Sequence, residues 1–260
     1  MSLTSSHALR WLGRWDRQQT GYMPFRERRF DAMFDVLDAL LPRRFVALDV
    51  ACGPGSLSQR LLKRFPAART VAVDFDPVAL AIGRVAQKSF GKRIRWLEAD
   101  LRSPGWVEGL PVDRFDAVLS TTALHWLRAP ELGRLYRQLH GLLRPGGVFL
   151  NGDRMAFDRR LPRIRAMARE ANHRRARTEF ARSGAETWDT YWRRLAEEPS
   201  LRAEFSERHR RFPKAHHGEE EMTADRHEQA LRSAGFGEVA VVWQEIDNRV
   251  LLAIRSARRA

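Results

Sequence analysis

Short apolar segments that alternate with helical segments constrain the fold of this chain more than any other feature. The first three apolar segments begin at Phe45, Thr70 and Ile94, and two more begin at Phe115 and Val148. Strands that are apolar throughout, each followed by a helix, predict a parallel sheet that is covered on both faces. Because crossovers between parallel strands are right-handed, the pattern predicts a doubly wound α/β fold.

The last part of the chain predicts an antiparallel hairpin. Val239 to Gln244 and Arg249 to Arg255 both have strand composition, and only four residues separate them. Together with the five parallel strands, they predict a Rossmann-like, seven-stranded, mostly parallel sheet that ends in an antiparallel hairpin.

Two regions outside this sheet have helical composition. Residues 1–44 have amphipathic spacing that predicts one helix from Ala8 to Leu41, ended by Pro42, and we expect this segment to close over a ligand. Residues 154–221 are rich in Arg, Glu, Ala and Trp and follow the fifth strand. We predict that they form a helical cap over the site, with a solvated helical excursion as the alternative. Residues 45–153 and 222–260 then form the Rossmann-like domain.

Composition excludes several classes of protein. The chain has 260 residues, 43% of them hydrophobic, which is too apolar for a disordered protein. A single cysteine excludes a disulfide framework and a zinc site made of several cysteines. No apolar run approaches the ~18–20 residues that span a membrane, so we expect a soluble, cytoplasmic protein without a membrane partner. His216 and His217 are adjacent in a predicted loop, which is poor ligand geometry, and no metal site is predicted.

Three acidic residues end the first three predicted strands, at Asp49, Asp74 and Asp100. Gly53 and Gly55 follow the first of them and allow a turn that a ligand can approach closely. Ligands of doubly wound sheets bind beyond the carboxyl ends of the strands, so we expect the three acids to line one crevice. Asp74 suits a ribose diol, Asp100 the exocyclic amine of adenine, and Asp49 an ammonium group.

A ligand with an ammonium group, a ribose and an adenine but no pyrophosphate matches S-adenosylmethionine. NAD(P) is the competing ligand, because the segment from Gly53 to Ser58 is close to the dinucleotide fingerprint and Asp74 lies about 20 residues further on. Two acids disfavour it. Asp49 lies four residues before the first glycine, where an apolar strand is usual, and Asp100 has no routine role with nicotinamide.

These segments resemble the motifs of class I S-adenosylmethionine-dependent methyltransferases, and in particular of small-molecule members such as trans-aconitate and malonyl-acyl carrier protein methyltransferases. The matching segments, in motif order, are Leu48 to Gly55, Val71 to Pro77, Ala99 to Leu101, Phe115 to Ser120, and Leu143 to Gly147. Ala51 stands where the first glycine of the first motif is usual. The closing hairpin matches the antiparallel seventh strand of the family.

The resemblance implies S-adenosylmethionine as the cofactor and the segment 1–44 as a lid over it. Tyr22 would cover the methionine end, and Arg29 or Arg26 would bind the cofactor carboxylate. The full set of implied cofactor-binding residues is Tyr22, Arg29, Asp49, Ala51, Cys52, Gly53, Gly55, Asp74, Phe75, Ala99, Asp100, Leu101 and Thr121.

The methyl acceptor is less well defined by the sequence. The segment after the fourth strand lacks the motif of enzymes that methylate DNA amino groups, and the only cysteine, Cys52, lies in the cofactor turn, which excludes C5 methylation of bases. His125 is the candidate catalytic base, with a packing or capping histidine as the alternative. Trp188, Tyr191 and Trp192 fit an apolar acceptor pocket or a core stripe equally well, and Arg154 is a candidate partner for a substrate carboxylate.

The net charge of +14 leaves the class of acceptor open. We predict a methyltransferase that acts on a hydroxyl or carboxylate oxygen of a small molecule. The positive charge lies outside the acidic cofactor site, so it favours an anionic acceptor or reflects an Arg-biased genome. The alternatives are an RNA methyltransferase that uses the Arg-rich cap and a cofactor-binding protein without catalysis. The sequence does not predict an oligomeric state.

Overall fold

The computed structural model describes residues 2–212 and 222–257. The helices of these residues are α1 (Ser5–Tyr22), α2 (Arg26–Leu40), α3 (Ser56–Arg64), α4 (Pro77–Ala86), α5 (Ala129–Leu142), α6 (Pro162–Ser183), α7 (Trp188–Ala196), α8 (Arg202–Arg211) and α9 (Ala224–Ser233). The strands are β1 (Val46–Val50), β2 (Arg69–Asp74), β3 (Ile94–Glu98), β4 (Phe115–Thr121), β5 (Leu143–Arg154), β6 (Glu238–Glu245) and β7 (Asn248–Ile254).

The seven strands form one sheet in the order β3-β2-β1-β4-β5-β7-β6. The first five strands are parallel, and β7 is antiparallel to both β5 and β6. The prediction of a Rossmann-like sheet with an antiparallel C-terminal hairpin is therefore confirmed. Strand β5 begins five residues before the predicted Val148, because Leu143 also pairs with Phe115 across an irregularity in the register.

The prediction of one continuous N-terminal helix is wrong. The chain leaves helix α1 at Tyr22 and enters α2 at Arg26, with a turn closed by the Arg26 N–H and the Met23 carbonyl at 3.0 Å. Pro24 explains the break, because proline has no N–H to donate and disfavours the helical conformation of the residue before it.

Helices cover the sheet on both faces, and further helices form a third layer outside them. On one face, α2 and α3 bury residues such as Phe30, Met33 and Leu61 against the strands, and on the other α5 and α9 bury Tyr136 and Leu231. The third layer joins α1, α4, α7 and α8 in a hydrophobic cluster made of Ala8, Trp11, Leu12, Val78, Ile82, Ala86, Tyr191, Leu195, Leu201 and Phe205. Helix α1 and the helices α7 and α8 of residues 154–221, which we call the insertion, thus share one core with α4.

Two absences concern only the described part of the chain. No helix within residues 2–212 and 222–257 is long and apolar enough to cross a membrane. The same residues contain no group of three or more His, Cys, Asp or Glu side chains arranged to hold a metal ion. His216 and His217 lie outside the described residues.

Candidate active site

The turn after β1 has an unusual backbone. Ala51, Gly53 and Gly55 all have positive φ, at 54°, 54° and 78°. Glycine adopts such angles readily, whereas an L-residue is strained in this region. The Cys52 N–H donates to the Val73 carbonyl at 3.0 Å, which ties the turn to β2. The positive φ of Ala51 gives a physical reason why glycine is usual at its position.

The side chains of Gln87 and Trp96 pack against the turn and hold it in place, and the sequence analysis predicted neither of them. The buried Gln87 donates from Nε2 to the carbonyls of Pro54 and Gly55 at 2.8 and 2.9 Å. The ring of Trp96 fills the remaining space, since a Cβ on Gly55 or on Gly83 would lie 2.5 Å from its Cη2 atom. Both glycines are therefore required by close packing, and Gly55 also by its positive φ.

Asp49 is buried beside this turn and has one oxygen without a partner. Its Oδ2 accepts hydrogen bonds from Ser58, at 3.1 Å from the backbone N–H and 2.6 Å from the hydroxyl, while Oδ1 has none. Burial raises the pKa of Asp49 to about 7. A buried acceptor without a donor is unfavourable unless a ligand supplies one. The free Oδ1 therefore fits a ligand ammonium group, bound directly or through water.

Asp74 lies at the end of β2 and holds the turn and the following loop together. Its Oδ2 accepts from the Gly53 N–H at 2.6 Å, and its Oδ1 accepts from the Phe75 and Asp76 N–H groups at 2.7 and 2.8 Å. Burial raises the pKa of Asp74 to about 6. With three of about four acceptor positions used, this carboxylate next to the Gly-rich turn keeps one position on Oδ2 for a ribose hydroxyl.

Asp100, in contrast, already has a cationic partner. Arg102 donates from Nη2 to Oδ2 at 2.8 Å and from Nε to Oδ1 at 2.9 Å. The Arg102 guanidinium also lies 5.4 Å from the ring centre of Phe75. Ala99 donates its N–H to the Asp74 carbonyl at 2.9 Å. The structure thus brings the predicted adenine-binding residues together and adds Arg102, which the sequence analysis did not select.

His125 forms an ion pair with Asp153, which the sequence analysis also missed. The His125 Nδ1 lies 2.9 and 3.0 Å from the two carboxylate oxygens of Asp153, a residue that is only 1% exposed. Burial alone would lower the pKa of His125, but the charge and hydrogen bond of Asp153 outweigh it and raise the pKa. Because Asp153 occupies Nδ1, the Nε2 atom of this half-buried ring is the one available as a base.

Arg29 lies near the carboxyl ends of β4 and β5. It is fully buried and donates to Thr122 Oγ1 at 2.5 Å and to Asn248 Oδ1 at 3.1 Å. Burial lowers its pKa to about 9. Gly152 makes room for it, because a Cβ there would lie 2.8 Å from Arg29 Cδ. Arg29 thus braces the strand ends near Thr121, and none of its described contacts reaches the Gly-rich turn.

Tyr22 is placed against the insertion. Its hydroxyl accepts the Trp188 N–H at 3.0 Å, its ring centre lies 4.9 Å from that of Phe180, and its carbonyl accepts from Arg154 at 2.7 Å. No described contact joins Tyr22 to the Gly-rich turn.

Trp15 is the residue of α1 that lies over the turn, with its ring 3.4 Å from the position of a Cβ on Gly53. It packs against Trp188 and Tyr191, both at 5.7 Å between ring centres. Tyr191 is fully buried and packs as a core residue, with Trp192 beside it at 5.6 Å.

Residues 47–147 match a family described as a methyltransferase domain. The trans-aconitate 2-methyltransferase of Azoarcus sp. is 35% identical over 135 residues, which are 52% of this chain and 48% of that protein. The chain thus spans about half the length of the curated relatives it matches.

Solved structures show the same fold. An O-methyltransferase family protein from Burkholderia thailandensis has a TM-score of 0.54 at 20% identity, covering 92% of this chain and 60% of that chain. Human N-acetylserotonin methyltransferase in complex with S-adenosylmethionine has a TM-score of 0.52 at 15% identity, covering 98% and 57%.

The family match contains Asp49, Gly53, Gly55, Asp74 and Asp100, on which the S-adenosylmethionine site was predicted. Over these residues the chain is similar in sequence to a methyltransferase domain, and its fold is that of solved S-adenosylmethionine-dependent methyltransferases. The match ends before Asp153 and helices α6 to α8, so it does not address the acceptor.

Proposed function

We propose that this protein transfers the methyl group of S-adenosylmethionine to an oxygen atom of a small-molecule acceptor. The observation that carries the proposal is the ion pair of His125 and Asp153 at the ends of β4 and β5, next to the strand ends that carry the cofactor motifs. Asp49 would bind the ammonium group of the cofactor, Asp74 the ribose diol and Asp100 the adenine amine.

The same ion pair favours a hydroxyl acceptor. S-adenosylmethionine supplies, when bound, a methyl group that an oxygen nucleophile can attack. His125 would accept the hydroxyl proton at Nε2, and Asp153 would stabilise the imidazolium ion that results. A carboxylate acceptor would need no base, and methyl transfer would then depend on alignment alone.

The names of similar proteins agree with transfer to oxygen and leave the acceptor open between these two groups. One relative is a trans-aconitate methyltransferase, and one solved structure is of an O-methyltransferase family protein. A carboxylate-bearing acceptor is also compatible with the net charge of +14. We found no feature of the described site that favours RNA.

The test is incubation of the protein with methyl-labelled S-adenosylmethionine and, separately, a small-molecule metabolite extract and total RNA. We expect label in an ester or ether product of low mass. Label in RNA, or on nitrogen or carbon of the product, would contradict the proposal. Absence of transfer together with tight cofactor binding would favour the non-catalytic alternative.

Two variants then test the base. For a hydroxyl acceptor, His125→Asn should lower kcat by about 10²–10⁴-fold and leave the affinity for the demethylated product, S-adenosylhomocysteine, unchanged. Asp153→Asn should move the acidic limb of the kcat profile to lower pH, because it removes the charge that raises the pKa of His125. A carboxylate acceptor predicts little effect of either variant on kcat.

A further inference from the structure

The C-terminal turn of α8 is fastened to the loop that follows β2. Arg208 donates from Nε to Asp76 Oδ2 at 2.7 Å. Arg211 donates to the Phe75 carbonyl at 2.8 Å and to Glu98 Oε1 at 2.5 Å. These bonds connect the insertion to the loop that holds the predicted ribose- and adenine-binding residues.

Groups of the insertion also surround the ring of Phe75. The ring centre of Phe212 lies 5.6 Å from it, and the guanidinium of Arg211 lies 4.9 Å from it. Arg102 approaches the same ring at 5.4 Å. Purine bases stack favourably on aromatic rings and on guanidinium planes, so these groups have the chemistry of an adenine-binding wall.

Helix α8 has further attachments besides Arg211 and Phe212. Phe205 is buried with Val78 and Ile82 of α4, and Arg208 adds the ion pair with Asp76. Phe212, in contrast, remains 38% exposed. Its ring therefore has surface beside the predicted cofactor-binding loop that a ligand can contact.

We propose that Arg211 and Phe212 form the outer wall of the adenosine subsite, so that the insertion binds the cofactor as well as the acceptor. The inference rests on the cofactor site of the proposed function. The adenine would contact the exposed part of the Phe212 ring, which packs against Phe75. Arg211 would fix the loop through the Phe75 carbonyl while its guanidinium faces the Phe75 ring.

Calorimetry with S-adenosylhomocysteine and with adenosine tests this proposal on the full chain. Phe212→Leu and Arg211→Gln should each raise the Kd of both ligands by about tenfold, within the range measured for loss of one stacking contact. Phe212→Tyr keeps the ring and should retain the affinity. Arg210→Gln is the matched control, because Arg210 lies on the same turn, pairs with Glu207 and has a side chain that is 76% exposed.

The outcomes separate this inference from the proposed function. If the unmodified protein binds S-adenosylhomocysteine and all four variants bind it equally well, the wall is refuted and the methyltransferase proposal stands. If Phe212→Leu weakens S-adenosylhomocysteine but not adenosine, Phe212 does not contact the adenosine half and the inference is again wrong. If the unmodified protein binds neither ligand, both proposals fail.

Discussion

The free oxygen of Asp49 predicts a specific pH dependence of cofactor binding. Burial raises the pKa of Asp49 to about 7, so lowering the pH from 7 to 6 reduces its ionised fraction from about one half to about one tenth. If the carboxylate binds the ammonium group of the ligand, the affinity should fall by about fivefold from this group alone. The ligand amine, with a pKa of ~7.7–8.0, stays largely charged over this range.

Asp74 adds a smaller effect that an appropriate ligand can isolate. Its pKa of about 6 predicts that its ionised fraction falls by about a factor of two over the same range. Adenosine has the ribose but no ammonium group, and it should therefore lose only this factor of two. S-adenosylhomocysteine has both groups and should lose about tenfold, which is the product of the two effects.

Calorimetric titrations of both ligands at pH 6 and pH 7 make the comparison directly. Asp49→Asn is the control: it should weaken S-adenosylhomocysteine at pH 7 and reduce its pH response to that of adenosine. Equal pH responses of the two ligands on the unmodified protein would refute the assignment of Asp49 to the ammonium group.

The same shift has a consequence for folding. Because the native pKa of Asp49 lies above its value of about 3.9 in an unfolded chain, the native state binds more protons between these two pH values. The contribution of Asp49 to stability therefore falls as pH rises from about 4 to about 7. Thermal unfolding of the free protein, compared with Asp49→Asn, measures this contribution.

Three further predictions concern the Gly-rich turn and the groups packed against it. Ala51→Gly should raise the free energy of unfolding in urea by about 1 kcal/mol, because the φ of 54° at Ala51 strains an L-residue; a loss of stability would contradict that strain. Gly83→Ala should lower it by about 1–3 kcal/mol, because the new Cβ would lie 2.5 Å from the Trp96 ring and 2.9 Å from the Pro54 carbonyl oxygen. Gly141→Ala, where a Cβ meets nothing within 4 Å, should have no such cost. Gln87→Leu should lower the free energy of unfolding by about 1–3 kcal/mol, because it leaves the carbonyls of Pro54 and Gly55 unpaired, and unchanged stability would show that the turn keeps its shape without Gln87.

The sheet was predictable because its signals are local. An apolar run such as Thr70 to Val73 identifies a buried strand without reference to the rest of the chain, and right-handed crossovers restrict how such strands are arranged. The break at Pro24 was also a local signal, and the amphipathic spacing on both sides of it led to the incorrect prediction of one helix.

The positions of the three acids were predictable for a related reason. A residue at the carboxyl end of a parallel strand must lie at one edge of the sheet, so Asp49, Asp74 and Asp100 were placed by topology alone. Their partners were not. Asp153 lies 28 residues after His125, and only the pairing of β4 with β5 brings the two together. A contact between residues that are distant in sequence leaves no periodic pattern in a single sequence.

The arginine content has a structural explanation that the net charge alone conceals. All but four of the 46 basic residues are arginine, and several of them donate to backbone carbonyls that helix ends and turns leave without partners. Arg93 donates to the carbonyls of Leu62 and Pro66, both at 3.0 Å, and Arg255 donates to the carbonyl of His140 at 2.8 Å.

A planar guanidinium group presents five donors in a fixed geometry, so one side chain can bind several carbonyl groups at once, which an ammonium group does less well. The positive charge of these arginines therefore accompanies a structural function in the loops. A net charge of +14 is for this reason weak evidence for a nucleic acid partner, and the residues that select the acceptor have to be sought at the ends of β4 and β5 instead.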